Sequence, residues 1–297
     1  MTRVQRPRVG RHVLFVHAHP DDEASKGAAT AARYAAAGHG VTIVTLTDGR
    51  SGGVQNPAVR LPAAPADITA VRASELDASL AALGVTDSVR FGYPDSGHVP
   101  GFDGTSDLDA DQHGLAPGCL YRLPFDEPLE RLVAVIRETR PDVLVTYPPD
   151  GDCPHPDHTR AHGLTVAAYD VAADASRFPA AGAPWQVAKL YYTQVSNPAR
   201  SAAIDRACRV RGLDSPFTGC ADDDRDDPST TYIEVASTLQ AREQALRAHV
   251  SQIDPDGPWL SVSTELLVEV YPYEAFTLAR ANTPVDLPEH DLFAGLD

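Results

Sequence analysis

The chain has 297 residues, 43% of them hydrophobic and 22% charged, which is enough apolar content for a sizeable core and excludes disordered and fibrous classes. Its formal net charge of −16 repels phosphate backbones and anionic lipid, which argues against nucleic acid and membrane surfaces as partners of the chain as a whole. Cys119, Cys153, Cys208 and Cys220 lie far apart without a CxxC pair, so neither a disulfide framework nor a cysteine-based metal site is expected.

Arg3, Arg6, Arg8 and Arg11 form a basic arm in front of the short apolar run Val13 to Val16. That run is too brief for a signal-peptide core, and no later apolar stretch approaches about 18 residues, so a cytoplasmic location is expected. The chain then alternates β-branched runs with Ala-rich or amphipathic segments, the pattern of an α/β fold whose helices cross over between parallel strands. Strands are predicted at His12 to Val16, Val41 to Thr47, Ser88 to Phe91, Val143 to Tyr147 and Leu190 to Val195. Helices are predicted at Ala24 to Ala37, closed by Gly38, at Ile68 to Leu83, closed by Gly84, and at Pro128 to Thr139 before Pro141. Residues 49–66 and 92–126 are rich in Gly, Pro and Asp without periodicity and are expected to be long loops that shape a site. Beyond Ala183 come an acidic irregular region, a short strand at Tyr232 to Val235, and helices near Thr238 to Ala248 and Pro272 to Ala281. Residues 1–183 are therefore expected to form a catalytic core, with 184–297 a smaller C-terminal α+β part packed on it or integrated with it in a single domain. The run ADDDRDDPS at 221–229 lacks regular ligand spacing and is expected to face water. Gly49, Gly52 and Gly53 match no phosphate-cradling pattern and are expected to form a plain turn.

Two polar clusters carry the chemistry. His17-Ala18-His19-Pro20-Asp21-Asp22-Glu23 follows the first strand directly, and His155-Pro156-Asp157-His158 lies in the segment after the Val143 to Tyr147 strand. Carboxyl ends of strands in open parallel sheets form ligand crevices, so the clusters are placed where they can converge. His19 and Asp22, three apart, share a face of a helical turn, while Asp21 points elsewhere. With His158 they give two imidazoles and one carboxylate, a set that leaves a coordination position for water, as in catalytic zinc sites. Asp21 and His155 remain as groups of acid/base type. His17 is expected to pack behind the site, and His12, His39, His98, His113 and His290 to be ordinary surface or loop histidines. His162, four residues after His158, falls on the same helical face.

At the HPDD and HPDH motifs the sequence resembles the zinc-dependent N-acetylglucosaminyl deacetylase superfamily, the PIG-L or LmbE-like proteins, and among them the mycothiol S-conjugate amidases. The resemblance runs through HAHPDDEASKGAATAARYAAAGH, RPDVLVTYPPDG, PHPDHTRAH, ALRAHVSQIDP and the terminal DLFAGLD. It implies a Rossmann-like fold, a mostly parallel sheet flanked by helices with the C-terminal part completing the site. It also implies one zinc per chain held by His19, Asp22 and His158, and hydrolysis of an amide joining an acyl group to glucosamine. By the same resemblance Asp21 is the general base, protonated His155 stabilises the tetrahedral intermediate, and Asp157 orients His155. Lys26, Arg72 and Asp95 match positions that hold the sugar-inositol part or set preference, and His249 matches a histidine that closes the pocket. The substrate implied is a mycothiol-derived small molecule, cleaved to a mercapturate and glucosaminyl-inositol.

Two departures stand out. Cys153 replaces a substrate-facing tyrosine two residues before His155, and Asp48 to Gly53 replaces a glutamate-containing run. Three readings stay open: amidase, deacetylase of N-acetylglucosaminyl-inositol, and a catalytically weakened zinc-containing binding protein. Such a ligand set also accepts Fe2+.

Overall fold

All six residues of β1 (His12–His17) are buried. A strand covered on both faces belongs inside a parallel sheet, and β1 lies there in a computed structural model that describes residues 10–60, 65–104, 108–220 and 227–296. On one side it pairs with β2 (Gly40–Thr47), which pairs with β3 (Asp87–Tyr93). On the other it pairs with β4 (Val143–Thr146), followed by β5 (Lys189–Thr193). These five strands are parallel. β7 (Tyr273–Ala281) and β6 (Thr231–Glu234) then continue the same sheet antiparallel, giving the order β3-β2-β1-β4-β5-β7-β6.

The two faces of β1 bury alternate residues in two separate cores. Val13 and Phe15 join α1 (Asp22–Ser25), α2 (Ala28–Ala36), α3 (Pro65–Ala82), α6 (Pro198–Arg211), α7 (Leu239–Ala248) and α8 (Thr264–Val270). Leu14 and Val16 join α4 (Asp126–Thr139) and α5 (Pro156–Val171). Each fully buried Leu or Phe contributes about 1.5–3 kcal/mol, so the sheet is held from both sides. Because the chain leaves β1 toward β2 on one flank and β4 joins the other, a crevice opens at the carboxyl ends of β1 and β4. Among the described residues no helix is long and apolar enough to cross a membrane.

The α/β class and the mostly parallel sheet agree with the sequence reading, and several elements depart from it. The predicted helix Ala24 to Ala37 is two helices broken at Lys26 and Gly27. Gly27 has φ 84°, and a β-carbon there would stand 2.8 Å from the Phe15 ring. The segment predicted helical at Pro272 to Ala281 is β7, because antiparallel pairing with β5 and β6 overrides its helix-forming Ala, Leu, Glu and Arg. Helices α6 and α8 were not predicted. β4 pairs with β5 across residue 183, so the parts on either side of it share one sheet. His12 is no surface histidine: its ring is buried between the Thr139 carbonyl and the Thr42 hydroxyl. Arg3, Arg6 and Arg8 of the basic arm and residues 221–226 of the acidic run lie outside the described residues.

Candidate metal centre

Just past β1 the His19 amide donates to Asp22 Oδ2 at 2.8 Å and the Asp22 amide to the His19 carbonyl at 3.3 Å. The chain therefore turns tightly and sets both side chains on one side. Past β4, His155 caps α5, with Pro156 at the first helical position, where a missing N–H costs nothing. His158, in the first turn of α5, points its ring back toward His19. His19 Nδ1 and His158 Nε2 are 3.3 Å apart, and Asp22 Oδ2 lies 3.4 Å from the first and 3.5 Å from the second. Ligands at about 2.0–2.1 Å around a tetrahedral zinc stand about 3.3–3.4 Å from one another, so the triangle has the size of a zinc site.

Proton positions strengthen that fit. His158 Nδ1 lies 3.0 Å from the Gly151 carbonyl and His19 Nε2 lies 3.3 Å from Asp157 Oδ2, both acceptors. Those nitrogens carry the ring protons, so the facing nitrogens present lone pairs. Two lone pairs and a carboxylate oxygen then converge on one point, an arrangement that suits a divalent cation. Burial disfavours a charged His19, but Asp95, Asp157 and Asp22 outweigh it and push the imidazole well above its usual value, so without a cation Nδ1 also holds a proton, which a bound metal would displace. The same negative surroundings draw a cation. Asp22 is further fixed by Lys26 Nζ on Oδ1 at 2.7 Å and by the Tyr147 hydroxyl on Oδ2 at 2.7 Å. The Tyr147 ring stacks on His158 at 4.5 Å and 7°. A second group, His19, Asp95, His155 and Asp157, also gathers ligand atoms within 4.8 Å. In that group the Asp157 oxygens accept from the Ser96 amide, the Ser96 hydroxyl and His19.

Asp21 stands beside this triangle at φ 128°, a conformation that costs a non-glycine residue about 1–3 kcal/mol and persists only when its surroundings fix it. Glu23 Oε2 accepts the Asp21 amide at 2.9 Å, and Arg72 donates to Asp21 Oδ2 at 3.0 Å. Burial raises the Asp21 carboxyl above its ordinary value, with Arg72 opposing. Arg72 also donates to the carbonyls of Pro20 and Gly49. Gly49, at φ 66°, is required there, because a β-carbon would fall 2.5 Å from the Arg72 guanidinium.

The structure reassigns several predicted partners. Asp157 does not orient His155 through its carboxylate, which faces Ser96 and His19. Its backbone amide donates to His155 Nδ1 at 3.1 Å instead. That bond leaves a His155 proton on Nε2, and burial beside His19 and His158 pushes the group below its ordinary value, which favours the neutral ring. Arg72, expected to hold substrate, reaches the cavity wall but anchors Asp21. His249 does not close the pocket: it is 0% exposed, absent from the cavity wall, and 2.6 Å from Glu23 Oε1. His162 turns away to the Tyr147 carbonyl.

A cavity of about 610 Å³ opens over the triangle, lined by His19, Asp21, Asp22 and His158 and reached by His155, Lys26, Asp95 and exposed Cys153. Asp95 accepts the Gly97 amide at 2.7 Å. Burial would raise its carboxyl, but His19 and that amide hold it below the usual range. His98 is not a plain loop histidine, since it lines the mouth together with C-terminal Gln252, Asp254 and Trp259. Sequence reasoning missed Glu23, Tyr147 and Ser96 as supports of the site.

Residues 14–169 match the PIG-L family, described as GlcNAc-PI de-N-acetylase. The chain is 38% identical to the mycothiol S-conjugate amidase of Streptomyces coelicolor over 96% of its own length and 97% of the relative's. It is 40% identical to a 1D-myo-inositol 2-acetamido-2-deoxy-alpha-D-glucopyranoside deacetylase of Thermobispora bispora, covering 96% and 99%. In fold it is similar to an N,N'-diacetylchitobiose deacetylase from Pyrococcus horikoshii, with TM-score 0.59, 17% identity and 91% and 84% of the chains covered. The chain belongs to the PIG-L family and is an enzyme of its deacetylase and amidase class.

Proposed function

We propose that the protein is a cytoplasmic zinc-dependent amidase that cleaves the cysteinyl-glucosamine amide of mycothiol S-conjugates, releasing a mercapturate and glucosaminyl-inositol. The observation that carries the hydrolytic reading is the 3.3–3.5 Å triangle of His19, Asp22 and His158 with Asp21 beside it in one cavity. His19, Asp22 and His158 would hold a zinc ion, which would supply polarisation of an amide carbonyl and acidification of water; Fe2+ would suit the same donors. Asp21, held by Arg72 and Glu23, takes the proton of the attacking water and returns it to the departing amine. His155, whose Nδ1 is occupied, offers its Nε2–H to the carbonyl oxygen as negative charge grows there. Asp157 fixes the ring of His19 and supports its lone pair.

Amidase preference is supported by Lys26, the residue after HPDDEAS, and by likeness to the Streptomyces coelicolor amidase. Deacetylation of N-acetylglucosaminyl-inositol is the second reading, favoured by likeness to the Thermobispora bispora deacetylase. Turnover of bimane-labelled mycothiol is expected to exceed that of the acetylated sugar, and faster acetate release would reverse the assignment. Asp21→Asn is expected to abolish turnover with zinc content unchanged; an active variant would remove Asp21 as the base.

A further inference from the structure

Next to the metal cavity lies a second one of about 490 Å³, and Ser25, Pro258 and Trp259 line both. Lys26 Nζ, bonded to Asp22, is 6.0 Å from the Trp259 ring centroid, so the second cavity begins within one side chain of the triangle. Its wall is aromatic, with Trp259, Phe217, Tyr271 and Phe276 facing in. Into it also come two guanidinium groups, Arg200 from the first turn of α6 and Arg242 from the first turn of α7. Among the described residues neither guanidinium makes a hydrogen bond or an ion pair, and Arg200 meets only the Phe217 ring, at 5.7 Å. Glu274, the carboxylate on the same wall, is engaged elsewhere: its oxygens accept the amides of Ala29 and Thr30 at 3.1 and 2.8 Å, at the start of α2.

Among the described residues Glu274 acts on both half-buried cations from a distance but no carboxylate contacts either directly, and cations so placed are costly unless something negative arrives. Burial draws Arg242 below the usual arginine value and Arg200 down to about 10, the mark of poorly hydrated guanidinium groups. A planar carboxylate suits the guanidinium fork, and a flat ring suits the aromatic wall. An acetyl group needs none of this space, whereas a thioether substituent on the acyl side of the scissile amide does.

We propose that this second cavity is the subsite for the group carried on the substrate sulfur, and that it selects an aromatic substituent bearing a carboxylate. The proposal rests on the amidase reading for its direction from the metal, but its test does not. Calorimetric titration of the zinc-loaded protein with S-(4-carboxybenzyl)-N-acetylcysteine and with S-benzyl-N-acetylcysteine reads the effect of one added carboxylate. The carboxybenzyl acid is expected to bind at least about tenfold more tightly. That ratio is expected to fall to within about twofold of unity in Arg200→Gln/Arg242→Gln and to survive in part in Arg200→Lys/Arg242→Lys, which keeps the charges. Because the ratio is internal to each preparation, partial misfolding does not mimic the result. Equal affinities in the parent protein, or a ratio kept in the double glutamine variant, would overturn the subsite. Turnover of the S-benzyl mycothiol conjugate is followed in parallel. If only the acetylated sugar is hydrolysed, the amidase reading fails, and the binding ratio still decides for or against the subsite.

Discussion

The floor of the metal cavity and the wall of the second cavity beside it are built on opposite terms. On the floor each charge has a short, buried partner: Asp22 holds Lys26 and Tyr147, Asp157 holds Ser96 and His19, and Asp21 holds Arg72. On the wall Arg200 and Arg242 face a cavity with no direct hydrogen-bond or ion-pair partner for either guanidinium among the described residues. The floor carries what amide hydrolysis needs regardless of substrate, groups fixed before the substrate arrives. The wall leaves charge unsatisfied until a ligand supplies its complement, and that is where choice among substrates resides.

The harshest way to break this contrast is to remove a floor ligand. His158→Ala is expected to abolish tight zinc retention and to lower turnover by about 10³-fold or more, since a lost metal removes several kcal/mol of charge stabilisation. Metal analysis after dialysis, together with turnover, checks it. Full zinc retention would show that the triangle is not the site. Asp157→Asn acts one step further out. With its oxygen in the Oδ2 place it still accepts the Ser96 amide, but the Ser96 hydroxyl must turn from donor to acceptor and the uncharged oxygen is a weaker acceptor for His19 Nε2–H, so zinc affinity is expected to drop about 10–100-fold, read by competition with a chromogenic chelator. If Asp157 served His155 instead, affinity would hold and only turnover would fall.

A third variant joins the two regions. His249, from the segment after α7, pairs with Glu23, whose other contacts are the Ser79 hydroxyl and the Asp21 amide. Burial disfavours a charged Glu23, but His249 and Ser79 outweigh it and hold the carboxyl below its usual range. Removing one partner of a buried pair costs about 3–5 kcal/mol, so His249→Leu is expected to lower the thermal midpoint by several degrees. Because Glu23 fixes the strained Asp21, turnover is expected to fall as well, with zinc content intact. A loss of zinc in this variant would mean that floor and wall are not separable.

The floor was legible in the sequence and much of the wall was not, for a physical reason. HPDD and HPDH are short segments in which a tight turn or a first helical turn dictates where side chains point, and both follow strongly β-branched strands. Glu23, Tyr147 and Ser96 escaped because their partners are remote in sequence: Glu23 meets His249 across 226 residues and Ser96 meets Asp157 across 61. Tyr147 did leave a signal, since it ends the strand just before the second motif. In β7 local composition favours helix, and only pairing with β5 and β6 makes it a strand. The break at Gly27 likewise depends on the Phe15 ring, which no local pattern encodes.

The smallest expected effect concerns the outer support of the wall. Asp227, the described end of the acidic run, was expected to face water, yet it ties the loop before β6 to the start of α6. Its Oδ1 accepts from Asn197 Nδ2 and from the Ser229 amide, both at 2.9 Å, and its Oδ2 from the Tyr232 hydroxyl at 2.9 Å. Burial alone would raise this carboxyl, but the bonds from Ser229, Asn197 and Tyr232 outweigh it and hold it below the ordinary value of 3.8. A depressed carboxyl stabilises the fold fully above its unfolded value and loses that contribution as pH falls through the folded one. Asp227→Asn is therefore expected to cost about 1 kcal/mol or less near neutral pH. The gap between variant and parent is expected to close as pH falls below 3.8. Thermal unfolding of both proteins across that range measures it. A gap that widens in acid would mean that the carboxylate is not what ties α6 to β6, and that the wall carrying Arg200 is supported by other contacts.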